Sequence, residues 1–349
     1  MSIAWAGAAQ RSRAASVWLV AGLLIAALIV AMISSLFTGA VAISPSQVVT
    51  AIFAPSEAGA RDAAIMWAVR LPRTFMAMLV GACLGVSGAV MQGLFRNPLA
   101  DPGLIGVSSG ATLAAVSTIV LGQNIFGMDA TRFLPITAFI GGLAVTLLLY
   151  AVATRDGRTS VSVMLLGGIA VGALAMAVTG LLIFIASEQQ LRELTFWSLG
   201  SLAGANWTRL GSIALCILIA CAALPLLMKT LDRLALGEAE ARYMGVNVEL
   251  SKAAAIGVTS LLTGAAVAVS GTIGFIGLVV PHLLRISVSP SHRFLLPLSA
   301  LLGALLMLAA DQIARRVAAP SELPIGIVTA MIGGPVFMWI LLKSAPDRV

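Results

Sequence analysis

The sequence predicts an all-α, polytopic membrane protein that forms a single transmembrane domain over residues 1–349. Hydrophobic residues make up 60% of the chain and charged residues only 10%. The mean hydropathy is +1.04, far above that of a soluble domain with a polar surface. The apolar residues fall in nearly uncharged runs, most of them close to the about 20 residues that a helix needs to cross a bilayer.

Ten such runs follow one another, and we interpret them as ten transmembrane helices. They are 16–37, 74–94, 104–122, 133–153, 161–186, 207–228, 253–272, 274–288, 294–314 and 325–343. The first follows Arg11 and Arg13 and has no small-residue cleavage site after it, so it is expected to be a retained helix behind a cytoplasmic tail, 1–15. The second predicted helix follows the sequence RLPR and ends at an irregular turn, Arg96 to Pro102. The eighth is short, and its glycines and Pro281 predict a kinked or half-length segment.

Ten crossings with an inside N-terminus place both termini in the cytoplasm. This topology puts thirteen of the twenty-one basic residues on the cytoplasmic side, in the direction of the positive-inside rule. Four arginines nevertheless cluster at the predicted outer ends of helices, against that bias, which indicates that they serve a function there. They are Arg70, Arg73, Arg315 and Arg316.

The segment 229–252 is the one long cytoplasmic loop, and it holds eight charged residues. Its apolar residues recur at near-helical spacing, and Gly237 and Gly245 are expected to divide it into two short helices. Two interpretations stay open: a solvated connector, or an element that docks on a partner protein.

Small residues indicate how the second helix packs. Gly81, Gly85 and Ala89 form a stripe that allows another backbone to approach closely, most simply a helix of the same subunit. The pattern around Gly81 to Gly88 recurs at 264–271. An inverted repeat of this kind would place a transport path between the two halves, and chance similarity is the alternative.

The residue inventory argues against an enzyme. None of the three lysines completes a phosphate-binding loop, and the two histidines and scattered acids form no predicted metal or catalytic set. Asp311 is most simply a partner for Arg315 and Arg316. Ion-gradient carriers usually need ionisable residues inside the membrane, and their scarcity here disfavours that class, which is kept as the alternative.

Several stretches resemble, in order and spacing, the permease subunits of bacterial ATP-driven importers for iron–siderophores, haem and cobalamin. They are RLPRT, SGAVMQGLFRNPLADPGLIG, FWSLGSLAG, LALGEAEARYMGV, SGTIGFIGLVVPHLLR and SELPIGIVTAMIGGPVFMWILLK. The resemblance covers about residues 17–343. It implies a cobalamin-permease-like homodimer in the bacterial inner membrane that works with a periplasmic binding protein and two ATP-binding subunits. ATP and Mg²⁺ are then held by those subunits, and this chain is expected to contact lipid but no cofactor or nucleic acid.

The resemblance also implies roles for particular residues. Arg70, Arg73 and Arg315 match positions that meet acidic residues of the binding protein, with anchoring to lipid headgroups as the alternative. Two pairs match the cytoplasmic gate: Asn97 with Leu99, and Thr159 with Ser160. Five residues match the helix that couples to the ATPase: Leu236, Gly237, Glu238, Arg242 and Gly245.

The expected cargo is haem. The run QQLRELTFWSLGSLAGANW resembles the haem-importing branch more than the siderophore or cobalamin branches, which are the alternatives. No axial ligand for haem iron is identifiable on the path, and Met91, Met164 and Met176 are interpreted as packing residues.

Overall fold

The computed structural model describes residues 2–126, 130–319 and 321–344, and these ranges are almost entirely helical. The first half contains α1 (Ser2–Phe37), α2 (Pro45–Phe53), α3 (Ala60–Ala64), α4 (Leu71–Leu94), α5 (Val107–Phe126), α6 (Ala130–Ala153) and α7 (Val161–Ile185). The second half contains α8 (Glu188–Ser198), α9 (Trp207–Leu234), α10 (Glu238–Tyr243), α11 (Val248–Ser270), α12 (Ile276–Ser287), α13 (His292–Val317) and α14 (Ile325–Ser344). A π-helical turn joins α3 to α4, and a 3₁₀ helix, Pro102–Ile105, precedes α5. One antiparallel hairpin, β1 (Thr154–Arg155) and β2 (Arg158–Thr159), lies between α6 and α7.

Each of the ten predicted transmembrane runs coincides with a helix. Within the described ranges, seven helices are long and apolar enough to cross a membrane, and three shorter apolar helices complete the ten. The eighth predicted run is the 12-residue α12, so the prediction of a half-length segment is confirmed. The helix begins after Phe275, which has a positive φ of 70°, a conformation that a bulky residue rarely adopts.

The centre of the fold is α4, whose apolar window is 78% buried. Its small-residue stripe packs against α13: a Cβ on Gly81 would collide with the carbonyl oxygen of Gly303, and one on Gly85 with that of Ser299. The interpretation as helix packing within the subunit is therefore confirmed. The other strongly buried long helix is α11, at 72%. It contains the second copy of the predicted repeat, whose symmetry stays a prediction.

The prediction of two short helices over 229–252 is wrong. Residues 229–234 continue α9, because Leu231 and Leu234 are buried against the core, and residues from Val248 onward belong to α11. A single short helix, α10, lies between them. The predicted breaks are present, since Gly237 and Gly245 have φ values of 133° and 78°, which glycine adopts without steric cost.

Two short helices at the predicted outer surface, α2 and α8, lie outside the ten predicted runs. Both begin with a capping box, in which Ser44 pairs with Gln47 and Ser187 with Gln190. Reciprocal hydrogen bonds of this kind satisfy backbone donors at a helix start. The Ser-x-x-Gln pattern in the sequence therefore marks where each of these two helices begins.

Candidate functional site

The three arginines predicted to dock a binding protein lie together at one end of α4 and α13. Their relative exposures are 3% for Arg70, 6% for Arg73 and 8% for Arg315. The guanidinium of Arg70 donates hydrogen bonds to the backbone carbonyls of Leu36 and Val41. These carbonyls lie at and beyond the end of α1, where a helix leaves acceptors without intrahelical partners.

The other two arginines share one buried carboxylate, Asp311, which is completely covered. Arg73 Nε donates to Asp311 Oδ1 at 3.0 Å, and Arg315 Nη2 lies 2.8 Å from Asp311 Oδ2. The predicted pairing of Asp311 with Arg315 is confirmed. Arg315 also donates to the carbonyl oxygen of Thr38 at 2.6 Å. The network thus joins the C-terminal ends of α1 and α13 to the N-terminal end of α4, the ends predicted to face outward.

A second carboxylate, Glu322, extends this network to the surface. Arg73 Nη1 donates to Glu322 Oε1 at 2.6 Å, and the Glu322 side chain is 45% exposed. A cavity of about 220 Å³ lies above the cluster, lined by Gly39, Val41, Arg70, Arg73, Arg315 and Glu322 among others. The three arginines therefore line a cavity rather than form an exposed patch, and the half-exposed Glu322 lies beside Arg73 in the same lining.

The first predicted gate pair lies in the irregular turn after α4. Asn97 and Leu99 are both exposed, and the Asn97 side chain accepts a hydrogen bond from the backbone of Leu99 at 2.9 Å. Arg96, just before them, has a left-handed backbone with a φ of 49°. At the far end of the turn Asp101 caps the 3₁₀ helix through the backbone of Gly103, and burial raises the pKa of this carboxyl. The turn is held by local hydrogen bonds.

The second predicted gate pair lies where the hairpin enters α7. Thr159 is buried, whereas Ser160 is exposed and caps α7 by accepting from the backbone of Val163. The hairpin tip is Asp156-Gly157, with both φ values positive, as a two-residue type I′ turn requires. The Asp-Gly dipeptide is the sequence signal by which this hairpin could have been predicted.

The predicted coupling helix is α10, and two large apolar or aromatic side chains at this helix are well exposed. Tyr243 is 93% exposed and Leu236, just before the helix, is 67% exposed. By contrast, Glu238 and Arg242 are partly engaged within the chain, 3.7 Å apart, and Arg242 lies 3.4 Å from Glu249. Tyr243 is thus a contact candidate that was missed, and its lone aromatic ring in a charged loop was the available signal.

The structure brings the second predicted gate pair and the predicted coupling helix into one cavity. This cavity has a volume of about 600 Å³. It is lined by Arg96, Arg158, Thr159, Ser160, Leu234, Glu238, Arg242, Glu249 and Lys252 among others. Asn97 and Leu99 lie outside that lining. The sequence predicted a gate and a coupling helix separately, and their shared cavity is a finding of the structure.

The chain matches the FecCD transport family over residues 27–343. It is 46% identical over 280 residues to the hemin transport system permease protein HmuU of Yersinia pestis, with 80% of this chain and 84% of that protein covered. It is 44% identical over 290 residues to the vitamin B12 import system permease protein BtuC of Salmonella paratyphi A, with 82% and 86% covered.

The fold is also that of solved transporters. A metal-chelate type ABC transporter in an inward-facing conformation matches with a TM-score of 0.81 and 32% identity, over 93% of this chain and 99% of that one. PsaBC from Streptococcus pneumoniae shares the fold with a TM-score of 0.53 at 18% identity, over 82% of this chain and 96% of that one. The family match spans most of the sequence, and the relatives that support it are transport permeases rather than enzymes. The chain therefore belongs to the FecCD transport family.

Proposed function

We propose that this chain is the permease subunit of an ATP-driven importer that moves haem from a periplasmic binding protein into the cytoplasm. The observation that carries the proposal is the 46% identity to a hemin permease over 280 residues. The cargo is chemically unchanged by passage, so this chain supplies a path, a gate and docking surfaces. Energy comes from ATP hydrolysis on a separate subunit.

The proposed assembly is a homodimer with two ATP-binding subunits. In a single chain, α7 buries only 17% of its apolar window and exposes Leu166, Ile169 and Leu174. A second copy placed along this helix would cover part of that surface and enclose a path between the protomers. Exposed Leu236 and Tyr243, beside α10, are suited to a cleft on the ATP-binding subunit, since aromatic side chains bury large areas at interfaces.

The proposed docking site for the binding protein is the cavity above Arg70, Arg73 and Arg315. Charge-assisted pairs speed encounter and fix register. In the described conformation Glu322 already pairs with Arg73, so an incoming carboxylate would exchange with Glu322. Glu322 is then a competitor for the same guanidinium.

Cobalamin is the second candidate cargo, because identity to the vitamin B12 permease is 44% against 46% for the hemin permease. Iron–siderophore complexes are a third, given the metal-chelate type transporter of the same fold. An absorption spectrum of the purified cognate binding protein separates the three. A Soret band would support haem as the cargo. A corrinoid spectrum would instead identify cobalamin, and a siderophore charge-transfer band an iron–siderophore complex.

The transport mechanism is tested in vesicles that contain this chain and its cognate ATP-binding subunit, with the loaded binding protein outside. Uptake is expected only when both ATP and binding protein are present. Uptake that persists without ATP and is abolished by an uncoupler would instead establish an ion-gradient carrier.

The docking site is tested by Glu322→Gln, which removes the competing charge and leaves the side chain's shape. We expect the affinity for the binding protein to rise about fivefold at low salt, the equivalent of about 1 kcal/mol for a half-exposed ion pair. The gain should shrink as salt screens the charges. Glu57→Gln, on an exposed residue of the segment between α2 and α3, is the matched control. Weaker binding by Glu322→Gln would contradict the exchange.

A further inference from the structure

Lys252 bonds both α10 and the end of the β1–β2 hairpin through one buried ammonium group. It is one of three lysines in the chain and is only 3% exposed. Its Nζ donates to the carbonyl oxygen of Thr159 at 2.9 Å and to Glu238 Oε2 at 2.9 Å. The third contact is Glu249 Oε1 at 3.4 Å. Three acceptors from three elements thus match the three donors of an ammonium group.

The same residues hold Thr159 from its other side. The backbone N–H of Thr159 donates to Glu249 Oε2 at 2.8 Å. Both polar backbone groups of Thr159 are therefore fixed to α11, one through Lys252 and one through Glu249. Ser160 follows directly and caps α7, so displacement of Thr159 displaces the start of α7.

Because Lys252 is buried, its contacts with Glu238 and Thr159 are costly to break. An ammonium group taken out of water is costly unless it is paired and hydrogen-bonded, so separating Glu238 from Lys252 removes the nearer of its two carboxylates and leaves Glu249 at 3.4 Å. Arg242 and Glu238 also form a pair, but that pair is 3.7 Å apart, and the two side chains are 48% and 37% exposed. Solvent can replace the contacts of Arg242 far more readily than those of Lys252.

We propose that Lys252 is the positioning residue that transmits movement of α10 to the gate at Thr159 and Ser160. The proposal rests on the proposed function, in which α10 contacts the ATP-binding subunit and Thr159 with Ser160 closes the cytoplasmic end of the path. Movement of α10 acts on Glu238, Glu238 acts on the Lys252 ammonium, and the ammonium acts on the Thr159 carbonyl. Without Lys252, ATP hydrolysis and gate movement become independent.

The test is Lys252→Met, which keeps an unbranched side chain of similar length and removes the charge and all three donors. In reconstituted vesicles we expect cargo moved per ATP hydrolysed to fall about tenfold, within the usual range of coupling between two sites. ATP hydrolysis itself is expected to continue. Lys252→Arg, which keeps the charge and donors, should recover most of the loss. Lys229→Met is the matched control, because Lys229 is an exposed lysine of the adjacent helix and should behave as wild type.

A second readout separates transmission from a purely structural role. Ser162 lines the same cavity, so Ser162→Cys, with Cys216 and Cys221 replaced by serine, reports access to the gate region by its rate of reaction with a thiol reagent. ATP should change that rate in the presence of Lys252 and leave it unchanged with Lys252→Met. If Lys252→Met does not fold, the charge-neutral pair of changes Lys252→Met with Glu238→Gln takes its place.

The outcomes are distinct. A transport-to-hydrolysis ratio within about twofold of wild type, or a thiol rate that still responds to ATP in the Lys252→Met protein, overturns the role of Lys252. If neither the wild-type protein nor Lys229→Met imports cargo when ATP is present, the result overturns the proposed importer function, and not the role of Lys252 alone. A lost ATP response with continued hydrolysis, restored by Lys252→Arg, supports the proposal.

Discussion

At the scale of single residues, Asp311 organises the contact between the N-terminal end of α4 and the C-terminal end of α13. This completely buried carboxylate faces the guanidinium groups of both Arg73 and Arg315. Buried ionised groups persist when they are paired and hydrogen-bonded, and each guanidinium here also bonds a further oxygen, on Glu322 or Thr38. Any docking role of the arginines therefore operates on side chains that are already held in position.

Asp311→Asn is expected to destabilise the fold. The change leaves two buried guanidinium groups with one fewer charged partner, and loss of one member of a buried ion pair costs about 3 kcal/mol or more. Thermal unfolding in detergent measures the loss. The matched control is Asp156→Asn at the exposed hairpin tip, where asparagine tolerates the φ of 51° and the effect should stay within about 0.5 kcal/mol. Equal melting temperatures would contradict the role of Asp311.

One of the two pairs of Asp311 could be predicted from the sequence and the other could not. Arg315 lies four residues after Asp311 on a helix, a spacing that places both on one face. Arg73 lies 238 residues away, and only the packing of α4 against α13 brings it near. The same limit applies to Lys252 and Thr159, which are 93 residues apart.

At the scale of elements, glycines set the distance between α4 and its neighbours. Carbonyl groups of α13 occupy the space where side chains on Gly81 and Gly85 would lie, and the carbonyl of Gly277 in α12 does the same for Gly88. Close approach of this kind supports van der Waals packing between membrane helices. The stripe was visible in the sequence. The identity of its partner helix was not, because spacing along one helix carries no information about which helix faces it.

Gly81→Ala is expected to separate α4 from α13, because the new Cβ would meet the backbone of Gly303 and the Cβ of Met307, neither of which is the movable end of a side chain. Overpacking of this kind costs about 1–3 kcal/mol. The melting temperature in detergent should fall accordingly. Gly22→Ala in α1 is the control, since nothing lies within 4 Å of its Cβ position and alanine favours a helix. A Gly81→Ala protein as stable as the control would show that the helices can move apart without cost.

At the scale of the whole molecule, the number and order of crossings follow from hydropathy, whereas the placement of α10 beside the β1–β2 hairpin follows from tertiary contacts. Ten apolar runs predicted ten helices because hydrocarbon excludes unpaired backbone groups and so favours helices of defined length. The loop between α9 and α11 was predicted too long, because the residues at its two ends continue α9 to Leu234 and begin α11 at Val248. The cavity shared by the hairpin and α10 joins segments from three parts of the chain, which no local pattern indicates.

The orientation of the whole molecule in the membrane can be tested by cysteine labelling. Glu57 and Asp156 are both exposed, and in the predicted topology Glu57 lies outside while Asp156, between Arg155 and Arg158, lies in the cytoplasm. With the native cysteines replaced by serine, Glu57→Cys should react with a membrane-impermeant maleimide in intact spheroplasts. Asp156→Cys should react only after permeabilisation. Labelling of both proteins in denaturing detergent controls for reagent access. The reverse pattern would place the arginine cluster in the cytoplasm, where a periplasmic binding protein has no access to it, and α10 on the side that lacks ATP.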